Sequence, residues 1–150
     1  MIEGYFLADE QNCYRYPYIN VMLASTPDDH NSIEVPFVID TGADRSLISP
    51  FDGQRLCRQL DIDMQSLRKG KSIGGIGGDV PTRLVRMTLF IGSYRTTMPI
   101  PIVDQLPGRY DMPSLLGRDI IYDFTLLIEH SADRLFLLRD AAELYSLLEH

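Results

Sequence analysis

Apolar and polar positions along the chain alternate in short β-branched or aromatic runs separated by turn residues, the pattern of a compact all-β domain. Tyr16 to Ala24 forms one such run and Ser32 to Ile39 the next, with Thr26-Pro27-Asp28-Asp29 between them, which predicts a hairpin. Thr82 to Ile91 carries Leu84, Met87, Leu89 and Ile91 in imperfect alternation, and Tyr94 to Val103 continues it after Gly92-Ser93 as a second hairpin. Pro99 and Pro101 cannot donate to a ladder, so their segment belongs at a sheet edge or in an irregular stretch. Leu126 to Glu129 and Arg134 to Leu138 make a third pair around Ser131-Ala132-Asp133. Helical signals are confined to Pro50 to Leu60, to Asp140 to Leu148 behind an Asp N-cap, and to a short helix expected within Gly117 to Phe124. With no repeat, low-complexity tract or linker, residues 1–147 read as a single domain, and 148–150 as the remnant of a purification tag.

Composition narrows the class. A chain of 150 residues with 45% hydrophobic and 23% charged residues, and 11 Gly with 9 Pro, is a turn-rich globular protein able to bury a sizeable core. The net charge of −7, with Lys and Arg scattered, disfavours nucleic acid and anionic membrane as partners. No apolar run approaches the roughly 20 residues needed to span a bilayer. Cys13 and Cys57 are too few for a disulfide framework, and no leader peptide opens the chain, so a cytoplasmic setting is expected. His30, His130 and His150 are dispersed without ligand spacing, so neither a metal nor a cofactor is expected.

Three segments carry candidate chemistry. In the first, the apolar run Val35-Pro36-Phe37-Val38-Ile39 ends abruptly on Asp40-Thr41-Gly42-Ala43-Asp44. A carboxylate beside a buried strand is costly unless hydrogen bonds or chemistry account for it. Gly42 permits a tight turn whose N–H groups point at Asp40, and the Thr41 hydroxyl can bond to a neighbouring element. Taken alone, the same tripeptide also makes an ordinary Asx-turn. The second segment, Ile73-Gly74-Gly75-Ile76-Gly77-Gly78, suits a mobile hairpin that closes over a ligand; it matches neither phosphate-loop spacing. In the third, Leu115-Leu116-Gly117-Arg118-Asp119, Gly117 lets another backbone approach and Arg118 is placed to pair with a carboxylate such as Asp44.

In this order the three segments resemble the retroviral-type, or retropepsin-like, aspartic peptidases, over roughly residues 16 to 130. The resemblance implies a closed acid-protease-type β barrel with one or two short helices and a flap hairpin. It implies Asp40 as the catalytic carboxylate, with Thr41 and Gly42 completing the catalytic loop. Ala43, Asp44, Gly74, Gly75, Ile76 and Gly77 would line the substrate, the Ile76 N–H holding a water at the flap tip. Asp44, Leu116, Gly117 and Arg118 would support the loop from behind. Two departures stand out: Arg45 where retroviral members commonly carry a second acid, and an extension beyond Ser131 in place of a very short terminal strand.

Peptide hydrolysis by this chemistry takes one carboxylate to accept a proton and another to donate one. The sequence offers one Asp-Thr-Gly, so a homodimer is expected, with two copies of Asp40 sharing a proton and activity greatest in mild acid. Asp104, Asp111, Asp119 and Asp123 lack a following Thr/Ser-Gly and are weak candidates for an intrachain partner. The expected partners are therefore a second copy and a peptide or protein substrate. The alternative is a catalytically silent module that grips peptides or assembles with proteins on the same fold.

Overall fold

A computed structural model of the protein describes residues 1–8, 10, 14–74, 79–104 and 112–149. Gly75, Ile76, Gly77 and Gly78, and also Cys13, Asp111 and His150, lie outside the described residues. The strands are β1 (Ile2–Glu3), β2 (Tyr5–Ala8), β3 (Arg15–Ala24), β4 (Ser32–Ile39), β5 (Arg68–Lys69), β6 (Thr82–Ile91), β7 (Tyr94–Val103), β8 (Ser114–Leu116), β9 (Thr125–Glu129) and β10 (Arg134–Leu138). The helices are α1 (Pro50–Gln59), α2 (Arg118–Ile121) and α3 (Ala141–Leu148), with 3-10 turns at Met64–Ser66 and His130–Ala132. The protein is thus mostly β, and the three expected hairpins are present.

The larger sheet has seven strands in the order β5-β6-β3-β4-β8, with β2 on β3 and β7 on β6. The ladders trace an open path, and single bridges at Leu47↔Leu115 and Ile48↔Ile102 link its β8 end to β7. The second sheet is β1-β10-β9.

Period-two patterning decides which face is buried. Ile19, Val21 and Leu23 of β3 alternate inward and meet Val35 and Phe37 of β4 across the ladder, as Val21↔Val35 and Ile19↔Phe37. All five are essentially inaccessible. Met87, Leu89, Ile91, Ile100 and Ile102 supply the same layer from β6 and β7. Each such side chain stabilises the fold by roughly 1.5–3 kcal/mol through apolar burial. Gly92 turns the β6–β7 hairpin at φ 56°, a conformation open to glycine at little cost.

The prolines of β7 sit at the strand's outer edge. The Pro101 carbonyl accepts the Ile48 N–H at 2.9 Å, so this residue faces away from β6, and Pro99, two positions earlier, faces the same way. Neither removes a β6–β7 bond.

α1 begins at an N-cap, Ser49, whose hydroxyl accepts the Asp52 N–H at 3.1 Å, followed by Pro50 in the first turn. It buries Leu56 and Cys57, and burial pushes the Cys57 thiol pKa up. α3 starts at the Asp140 cap, as the sequence predicts, and packs against β10. No helix among the described residues is long and apolar enough to cross a membrane.

Tyr94 ties the end of β7 to the segment after α2. Its hydroxyl donates to Asp123 at 2.6 Å, and its ring meets Phe124 at 4.8 Å. Burial, then the bond to Asp123 and its charge, push the phenol up to about 12. Because the folded pKa lies above the unfolded one, this contribution to stability is complete below about pH 10 and is lost as pH rises through about 12. Alkaline melting curves should therefore show the wild type losing more stability across that window than Tyr94→Phe. Equal losses would remove the Tyr94–Asp123 pair from the account.

Candidate active site

The β4 strand, pinned between β3 and a parallel β8, delivers Asp40 to the end of a rigid rack. Its partners on β8 run Phe37↔Ser114, Val38↔Leu115 and Ile39↔Leu116, and the Asp40 N–H donates to the Leu116 carbonyl at 2.9 Å. The chain then turns at once. The Gly42 N–H donates to Asp40 Oδ1 at 2.9 Å and the Ala43 N–H to the Asp40 carbonyl at 3.2 Å. One carboxylate oxygen is thereby oriented by the backbone that follows it, while Thr41 and Gly42 remain exposed.

The second chain segment that shapes the loop is Leu116-Gly117-Arg118. The Arg118 N–H donates to the Ala43 carbonyl at 2.9 Å. Its guanidinium divides its bonds, one nitrogen donating to the Thr41 carbonyl at 3.2 Å and another pairing with Asp44. The Asp44 side chain is 84% exposed, so the carbonyl bond ties Arg118 to the loop more firmly than the solvent-screened ion pair.

Two residues that the sequence reading did not assign to the loop hold it from beneath. Ser46 is fully buried; its hydroxyl donates to Asp119 Oδ1 at 2.7 Å and accepts the Gly117 N–H at 2.9 Å. The Ser46 N–H reaches both Asp119 oxygens at 3.0 Å. Charge-assisted bonds of this kind are shorter and stronger than neutral ones, and here they join two segments 73 residues apart. Asp119 is therefore occupied with Ser46. Asp104 is likewise engaged by Arg83 at 3.2 Å, and Asp123 by Tyr94.

Asp40 lies on the wall of a cavity of about 940 Å³. Val38, Pro36, Leu115 and Pro113 give that cavity an apolar side, and α1 contributes Phe51, Asp52 and Arg55. Asp52 is 7% exposed: Oδ1 takes a bond from Arg55 Nη1 at 3.0 Å, and Oδ2 one from the Ser114 hydroxyl at 2.7 Å. The Ser114 hydroxyl in turn accepts the Ser49 N–H at 3.0 Å, so this network stitches α1 to β8 beside the candidate carboxylate.

The arm that carries the glycine-rich segment is anchored at its base. The Gly70 N–H donates to the Thr82 carbonyl, and Ile73 and Val80 exchange both backbone bonds, each at 2.9 Å. Gly74 is exposed at the limit of the described residues on this arm. Among the described residues, no group of three or more His, Cys, Asp or Glu side chains is arranged to hold a metal ion.

With this geometry in place, the aspartyl protease family profile matches residues 27–120, more than half of the chain. No curated protein matches it significantly. Among solved structures, it is similar to EIAV protease complexed with the inhibitor HBY-793, with 27% identity, a TM-score of 0.52, 75% of this chain covered and 90% of that one. It also shares the fold of a retropepsin-like aspartic protease from Rickettsia conorii, at 21% identity and a TM-score of 0.61, over 92% of this chain and 99% of that one.

Proposed function

The chain belongs to the aspartyl protease family, retropepsin-like in kind, and on that premise we propose that it is an endopeptidase that cuts peptide bonds between two Asp40 carboxylates, one from each copy of a homodimer. The observation that carries this reading is Asp40 itself, an intact Asp-Thr-Gly held by backbone bonds at the rim of a large cavity. One loop supplies one carboxylate, and acid–base hydrolysis of an amide takes two. The second comes from another copy across a two-fold axis, where Thr41 and Gly42, exposed in the single chain, meet their counterparts.

Two carboxylates that close cannot both ionise, so the pair holds one proton and titrates as a unit. The ionised member takes a proton from water as the water attacks the carbonyl carbon; the protonated member donates to the carbonyl oxygen. Asp44, Leu116, Gly117 and Arg118 keep the loop from shifting during these transfers, with Ser46 and Asp119 beneath them. The substrate lies extended along Ala43 and Asp44 and beneath Gly74, on the arm anchored by the Ile73–Val80 bridge; Gly75, Ile76 and Gly77, which the family resemblance assigns to the same substrate, lie outside the described residues. We read the larger sheet as closing into a barrel; support comes from the Leu47↔Leu115 and Ile48↔Ile102 bridges, by which the segment after the Asp40 loop links the β8 end to β7.

The test is cleavage of a mixed peptide library over a range of protein concentrations, from about pH 4 to about pH 8. Cleavage should peak in acid and, at low concentration, rise faster than linearly with protein as dimers form. A strictly linear dependence down to the lowest detectable activity would overturn the dimeric site. Absence of cleavage throughout would leave a peptide-binding module.

A further inference from the structure

The cavity beside Asp40 is apolar along β4 and β8 but ends on α1 in a charged pair that the hydrolytic reading does not use. The two members are differently placed. Asp52 is buried and both its oxygens are taken, by Arg55 and by Ser114, so its charge is committed inward. The Arg55 side chain is 37% exposed and spends one nitrogen on Asp52, while a second only approaches the Glu34 carbonyl at 3.5 Å. A guanidinium has five N–H donors in a fixed fork, so donors remain for an incoming group. Phe51 supports it, with Arg55 Cζ 5.9 Å from the ring centroid. Among the described residues lining the cavity, Arg55 is the one cation, in a chain of net charge −7 that would otherwise repel acidic ligands.

We propose that Arg55 is a specificity-determining residue that selects peptides presenting a glutamate side chain to the α1 wall of this cavity. The inference rests on the reading of the cavity as a peptide-binding cleft. A glutamate stem suits the apolar floor, and its carboxylate meets unspent donors at the far end. A glutamine in the same place makes a weaker neutral bond, and a lysine faces like charge.

Peptides identical except for Glu, Gln or Lys, scanned through each position, separate the possibilities at about pH 6, where glutamate is ionised. Two readouts are taken: kcat/KM with the wild type, and fluorescence anisotropy of labelled peptides bound to Asp40→Asn protein. At one position Glu should exceed Gln by roughly threefold, and Lys by more, with the preference shrinking in high salt. Arg55→Lys should keep most of it. The double variant Asp52→Asn/Arg55→Gln, which retains a hydrogen-bonded neutral pair against Ser114, should lose it while melting as a folded protein. A Glu preference that survives the double variant, or none at any position, overturns the proposal even if cleavage is efficient. Arg55-dependent Glu binding without cleavage upholds it and instead removes the hydrolytic reading.

Discussion

Asp40→Asn should fold like the wild type and lose peptide cleavage by roughly a thousandfold or more. The substitution is close to isosteric, and the amide oxygen can still accept the Gly42 N–H that now bonds Asp40 Oδ1 at 2.9 Å. The backbone bonds of the loop, from the Asp40 N–H to Leu116 and from Ala43 to the Asp40 carbonyl, do not involve the side chain at all. What disappears is chemistry: an amide neither takes a proton from water nor donates one as a carboxylic acid does, and in a homodimer both members of the pair are lost together. Thermal melting, chemical denaturation and cleavage measured on the same preparation decide it. An Asp40→Asn protein that retains more than a few per cent of the activity, with an unaltered pH profile, would move the catalytic carboxylate elsewhere. Of the intrachain alternatives weighed from the sequence, Asp104, Asp119 and Asp123 are each already bonded to Arg83, Ser46 or Tyr94, and Asp111 lies outside the described residues.

That the loop could be found from sequence, and its foundations could not, follows from the range of the interactions involved. The hairpins β3–β4, β6–β7 and β9–β10 were legible because period-two alternation and turn residues are local signals. So were α1, from the helical spacing over Pro50 to Leu60, and α3, from its Asp140 cap. Strands β1 and β2 were not: β1 is two residues long and its partner lies far along the chain, Ile2 pairing with Leu137, while β2, Tyr5-Phe6-Leu7-Ala8, pairs with the next strand but carries no apolar–polar alternation of its own. The same holds for Ser46 and Asp119. Neither is unusual in its own neighbourhood, and the bond between them becomes visible only once β8 is laid parallel to β4. Asp52 is a parallel case, a residue of a legible helix whose partner, Ser114, lies 62 positions away. Gly117, by contrast, was legible as a point of close approach, and the approach is tight.

Gly117→Ala should therefore be the most damaging small substitution near the loop, lowering stability by roughly 1–3 kcal/mol and activity by considerably more. Conformation is not the reason: Gly117 has φ −96°, which alanine adopts freely. Space is. A Cβ built there would lie 2.6 Å from the Arg45 carbonyl carbon, 2.8 Å from the Arg45 oxygen and 2.9 Å from the Ala43 oxygen. All three are backbone atoms of the segment that follows Asp40, so no side-chain rotation relieves the contact. Relief has to come from separating that segment from α2. Moving it stretches the Arg118 N–H bond to Ala43, the Gly117 N–H bond to Ser46 and, through Ser46, the grip of Asp119. Asp40 sits three residues before Ala43 in the same turn, and a displacement on the order of 1 Å of a reacting group can lower a rate about a hundredfold. Denaturation midpoints and kcat/KM on Gly117→Ala, set beside Asp40→Asn, separate the two losses: the Asn variant should be stable and inactive, the Ala variant weakened in both respects. If Gly117→Ala is as stable and as active as the wild type, the packing of α2 against the loop does not hold Asp40 in place, and the rigidity assigned to the loop rests on β4 and β8 alone.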